Sequence, residues 1–202
     1  TINFLSSFVF RVLSAFSVLL LNYIVAKSYD IGEAGSLMWL YSLLMMFLPL
    51  SVFGSSNMAL REIGFLKKEN NFIDIVVLVS KSFSLILFFS IAVSFLFFII
   101  TFIFSDLKFF GGFFVCFPLI LFSVLTFYLG SVYQGLNETS LSVIYLSVLP
   151  SFFLGLEILF FSPNILFIPV IMMLNSLVFF VLWVVVFCRK VDSFRFAFVF
   201  FN

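Results

Sequence analysis

Arg11, Asn22, Arg61, Lys81 and Glu157 stand in or beside long apolar runs of this sequence. An ionisable group held inside such a run costs a few kcal/mol in hydrocarbon, so each is a functional candidate. Arg11 lies about 12 Å along the first run at about 1.5 Å per residue. Ser7, Arg11, Ser14 and Asn22 share one side of a helical wheel, a polar stripe that must face other helices or a wet cavity. Arg61, beside Glu62, ends the second run, and Lys81 stands about one and a half turns into the third. Arg11, Arg61 and Lys81 together suit an anionic ligand, because a guanidinium fork bonds phosphate oxygens bidentately. The competing reading is that Arg11 and Lys81 snorkel to the membrane surface. Glu157 lies about a turn from the end of the fifth run, at a different depth from Arg11. It is the candidate for ion coupling, and an interfacial or structural carboxylate is the alternative.

Other chemistry is thinly represented. Histidine is absent, which removes the commonest metal ligand and general base. Cys116 and Cys188 both lie in apolar stretches and read as small buried hydrophobes. No zinc spacing or CxxC pair occurs. No metal, no cofactor and no catalytic residues are expected, so the chain does not read as an enzyme. A net charge of +1 creates no field for nucleic acid, and none is expected as a partner.

The elements that must position these side chains follow from composition. The chain of 202 residues is 64% hydrophobic and 9% charged, against about 25% charged in a soluble domain. Mean hydropathy is +1.34. A water-soluble fold of this size could not hide so much apolar surface. The expected fold is therefore an all-α integral membrane protein. A membrane-crossing helix needs about 20 mainly apolar residues. Six stretches qualify, at 4–26, 35–60, 75–104, 109–134, 140–161 and 165–188, with short polar breaks between them. No break is long enough for an inserted soluble domain, so function must lie inside or between the helices.

Lys and Arg counts set the orientation. Arg61, Lys67 and Lys68 follow the second span, and Arg189, Lys190 and Arg195 follow the sixth. Both regions are expected in the cytoplasm, which places both termini there and Arg11, Arg61 and Lys81 in the cytoplasmic half. Lys27 dissents. The chain starts at Thr1 and stops inside the apolar run ending at Asn202. It reads as a fragment: a lobe over 1–188, then a basic cytoplasmic segment over 189–202 leading to a missing second lobe. Pro49, Gly54, Pro118, Gly130, Pro150, Gly155 and Pro169 fall within the spans, where prolines bend helices and small residues allow close approach.

Helix 1 reads FLSSFVFRVLSAFSVLLLNYIVAKSYDIGEAG, the next stretch reads FLPLSVFGSSNMALREIG, and Tyr133 to Ile144 reads YQGLNETSLSVI. Together these resemble the amino-terminal half of the O-antigen (polysaccharide-repeat) flippases, within the multidrug/oligosaccharidyl-lipid/polysaccharide exporter superfamily. The positions that carry the resemblance are Arg11, Lys27, Gly35, Gly54, Arg61 and the Gln134-Gly135 turn. Lys27 stands where the family commonly has Arg. The resemblance implies one six-helix lobe of a two-lobe, twelve-helix exporter in the bacterial inner membrane. It implies a lipid-linked oligosaccharide substrate on undecaprenyl diphosphate, carried from the cytoplasmic to the periplasmic leaflet by alternating access. Arg11, Arg61, Lys81 and Asn22 would then bind the diphosphate, and membrane lipid, a polysaccharide polymerase and a chain-length regulator would be partners. Three other readings compete: a cation-coupled multidrug exporter of the same superfamily, an O-antigen polymerase, and a passive membrane scaffold.

Overall fold

In hydrocarbon every backbone N–H and C=O must be paired within the protein, and a helix does this within a single segment. The computed structural model describes residues 2–69, 71–104, 113–161 and 163–191, and among them there is no strand. The chain runs through α1 (Ile2–Ser28), α2 (Ile31–Val52), α3 (Ser55–Lys68), α4 (Phe72–Phe104) and α5 (Phe113–Gly135). It continues through α6 (Thr139–Val143), a π-helical segment (Ile144–Val148), α7 (Leu149–Phe161), a 3₁₀ turn (Ile165–Phe167) and α8 (Ile168–Val191). Six stretches are long and apolar enough to cross a membrane: Phe8–Ser28, Ile31–Val52, Ile73–Ile103, Phe114–Gly135, Thr139–Phe161 and Ile165–Phe187. The fold is an all-α, multi-pass bundle. Side chains such as Phe88, Phe102, Phe160 and Phe161 are exposed on its outside, a surface that lipid accepts and water does not.

Where a single span over 35–60 is expected, the structure has two helices. Phe53 (φ 44°) and Gly54 (φ 78°) take left-handed backbone and break the run. A bulky residue rarely adopts that conformation. Here the Phe53 ring stacks on Phe89 with centroids 4.6 Å apart, which helps hold the break. Arg61 therefore stands within α3 rather than at the end of a span. The third span starts earlier than expected, at Phe72, which places Lys81 more than two turns into α4. Arg195, one of the orientation residues, lies outside the described residues. Of the 189–202 segment, Arg189 to Val191 continue α8, and the remainder also lies outside them.

α5 is the axis of the bundle. In its apolar stretch 67% is buried, against 22–39% in the other five spans. It packs on α8, α4 and α3. The α5–α8 seam includes Tyr133 against Trp183, with ring centroids 4.1 Å apart. α1 packs separately, along α6, the π-helical segment and α7, and touches α2 little. Two ties fasten opposite ends. Tyr29 Oη donates to Pro163 O at 2.7 Å, joining the α1–α2 corner to the start of the sixth span. Lys67 Nζ donates to Leu136 O, joining α3 to the end of α5. Burial, reinforced by the nearby Glu33 charge, raises the Tyr29 phenol above its ordinary 10.0, so it stays a donor at neutral pH.

Candidate functional site

Apolar spans that pack by shape alone leave hydroxyls only where each finds a partner, and in this bundle many gather along one seam. Ser14 of α1 donates to Ser147 of the π-helical segment at 2.6 Å. Tyr41 of α2 and Ser151 of α7 share a hydrogen bond of 3.2 Å. Ser123 of α5 and Ser176 of α8 share one of 2.9 Å. Asn175 Nδ2 donates to Glu157 Oε2 at 2.7 Å, tying α8 to α7.

These groups surround a cavity of about 440 Å³ between α1, α2, α5, α7 and α8. Tyr41, Ser123, Thr126, Ser147, Asn175 and Ser176 supply its polar atoms, and Leu48, Phe127, Met172 and Phe179 are among its apolar walls. Val18 lies about 15 Å from the end of α1 and Tyr41 about 15 Å from the start of α2, at about 1.5 Å per residue. That is half the thickness of a hydrocarbon core of about 30 Å, so the cavity sits near mid-depth. Sites between bundle helices of this volume hold small ligands or the reacting part of larger ones.

The π-helical segment forms part of the wall through Leu146 and Ser147. Its wider turn opens the ladder opposite Gly130, whose missing side chain leaves room for Leu146. Such insertions occur frequently at functional sites.

The candidate residues from the sequence are distributed around this cavity rather than gathered in it. Glu157 is half-buried and one hydrogen bond behind Asn175. Arg11 and Asn22 are exposed on α1, Arg61 on α3 and Lys81 on α4. None of these four lines the cavity. α3 and α4 pack on each other and on α5, whereas α1 packs on α6, the π-helical segment and α7. Arg11 is therefore carried by a group of helices packed apart from the group that carries Arg61 and Lys81. Of the helix-1 stripe, Ser14 is the member that turns inward to a neighbouring helix, and Arg11 and Asn22 sit outside the packed face. The side chain of Ser7 lies outside the described residues.

Sequence reasoning missed Tyr41, Ser123, Thr126, Ser147 and Ser176. Each is a scattered hydroxyl in an apolar run, and the face signals, Ser123 with Thr126 and Ser147 with Ser151, are only two residues long.

Bundle and cavity define a polytopic α-helical membrane protein with a mid-depth chamber. No protein-family model matches the chain, and no curated protein and no solved structure matches it.

Proposed function

We propose that this chain is one lobe of a flippase that moves an undecaprenyl-diphosphate-linked oligosaccharide across the bacterial inner membrane, from the cytoplasmic to the periplasmic leaflet. The observation that carries the reading is a chamber at mid-depth between separately packed helices of a six-span bundle. Transporters that work by alternating access place their sites near the bilayer midplane, between groups of helices that can rock. Here α1 with α7 on one side, and α2 with α4 and α5 on the other, are such groups. A diphosphate and sugar need a polar path through hydrocarbon, which in this reading runs along the interface with a second lobe and not through the chamber. Arg11, Arg61 and Lys81, exposed on the bundle surface, are suited to hold the anionic head group at an interface with a second lobe. Membrane lipid, a polysaccharide polymerase and a chain-length regulator complete the proposed surroundings. No catalytic step is assigned.

The deciding experiment deletes the complete gene in its source. Loss of all surface repeat units, with lipid-linked repeats accumulating inside, supports the flippase. Arg11→Ala in the restored gene should then reproduce the defect with the protein still present in the membrane. Arrival of single repeats without long chains would transfer the function to a polymerase.

One observation favours a second reading, a cation-coupled exporter. No Lys or Arg is among the residues lining the chamber, and the carboxylate of Glu157 stands directly behind it. Resistance to cationic drugs on expression, lost in Glu157→Gln, would support this reading over the first.

A further inference from the structure

We propose that the mid-depth cavity is a docking site for the hydrocarbon chain of a membrane lipid, entering sideways between α1 and α2. The inference needs only the membrane-embedded fold and does not depend on the flippase reading.

Four observations carry it. First, each lining hydroxyl is already satisfied by the protein. Thr126 Oγ1 donates to Phe122 O at 2.8 Å and Ser176 Oγ to Met172 O at 2.8 Å. Ser147 Oγ donates to Val143 O at 3.0 Å, and Tyr41 pairs with Ser151. Water entering the cavity would find few groups in need of a bond, and apolar cavities with this property stay dry and take apolar guests. Second, the lining carries no charged side chain, and one of the Asn175 amide hydrogens is committed to Glu157. A phosphate or other small anion would lose its hydration there without compensation. Third, the wall is open between α1 and α2. α1 and α2 touch little, and Met45, which lines the cavity, is 38% exposed on the bundle surface. Fourth, the cavity sits at mid-depth, the level of the hydrocarbon layer in a membrane-embedded bundle.

The deeper wall is closed to lipid that stays outside. Met172 is 7% exposed and Phe179 5%, whereas Phe160 is 73% exposed on the outer surface. A chain that enters must therefore reach residues that a chain remaining outside cannot.

The test uses the full-length protein in nanodiscs made with a phospholipid bearing a diazirine at the middle of one acyl chain. After irradiation, mass spectrometry should find adducts on Met172 and Phe179 as well as on Phe160. Leu154→Trp, which fills the cavity, should reduce the two inner adducts roughly tenfold, the factor matching about 1.4 kcal/mol of lost binding, and leave the Phe160 adduct unchanged. Absence of inner adducts in the unaltered protein, or equal inner labelling in the filled variant, would overturn the proposal. A second measurement does not depend on Leu154→Trp folding. Ser176→Cys, in a protein whose Cys116 and Cys188 are replaced by Ala, should resist a water-soluble thiol reagent. Rapid modification would show a hydrated chamber that serves polar solutes, and would also overturn it. Neither result bears on whether surface polysaccharide depends on the gene.

Discussion

Replacing Gly130 by alanine would place a Cβ 2.4 Å from Leu146 Cδ1, 2.7 Å from Cγ and 2.8 Å from Cδ2. Because Cγ is as crowded as the two methyls, a rotation of the chain end alone does not relieve the contact. The whole isobutyl group must move, and the space open to it is the cavity that Leu146 already lines. Overpacking of this kind costs about 1–3 kcal/mol. Alanine in place of glycine within a helix returns about 0.5–1 kcal/mol. The net expectation for Gly130→Ala is a loss of about 0.5–2 kcal/mol from these two terms. In a Leu146→Ala background the obstacle is gone, and the same Gly130→Ala change should stabilise by about 0.5–1 kcal/mol. The assay is reversible unfolding of the four proteins in mixed detergent micelles, read as a double-mutant cycle. A coupling of about 1–3 kcal/mol between the two sites is the expected result. If Gly130→Ala costs the same with and without Leu146, the close approach of α5 to the π-helical segment is not what makes glycine necessary there.

Three further outcomes follow from the same geometry. Gly135→Ala would bring a Cβ to 3.0 Å from Ile63 Cβ and 3.2 Å from the Leu60 carbonyl. Neither atom is the end of a flexible chain, so α3 should lift from α5 at a cost of about 1–3 kcal/mol, seen as faster proteolysis near Glu69. Glu157→Gln keeps an acceptor for Asn175 and should leave unfolding unchanged, whereas Glu157→Ala removes that acceptor and should destabilise. If Glu157 couples an ion, both variants should lose gradient-driven transport in everted vesicles, and full transport by the Gln variant would make the residue structural. Tyr29 has a folded-state phenol raised above 10.0, so its contribution is complete below 10.0 and declines as pH rises from there through the folded value. The stability gap between the native protein and Tyr29→Phe should be flat up to about pH 10 and narrow above it, measured by thermal unfolding across that range.

The sequence by itself determined the class, the solvent and the number of crossings. Six apolar runs of spanning length, with little charge within them, leave hydrocarbon as the one environment that fits, and a helix as the structure that pairs its own backbone there. It also marked Glu157 as a polar group in a costly place. Tertiary structure decided the rest. Hydropathy averages over a window, so it could not see that two left-handed residues, Phe53 and Gly54, divide the second run into α2 and α3. Nor could a helical wheel say which side of α1 is covered. Ser14 turns inward to Ser147 while Arg11 and Asn22 stay outside, because the position of α7 sets the packed face, not the polarity of the stripe. The chamber drew its hydroxyls from four separate elements, α2, α5, the π-helical segment and α8. Each serine or threonine is unremarked in its own run, since a lone hydroxyl can bond its own helix carbonyl at little cost. Only the packing of α1 and α7 against α2, α5 and α8 brings them to one wall, and that packing depends on side-chain shape across more than a hundred residues of chain, as in the contact between Ser14 and Ser147.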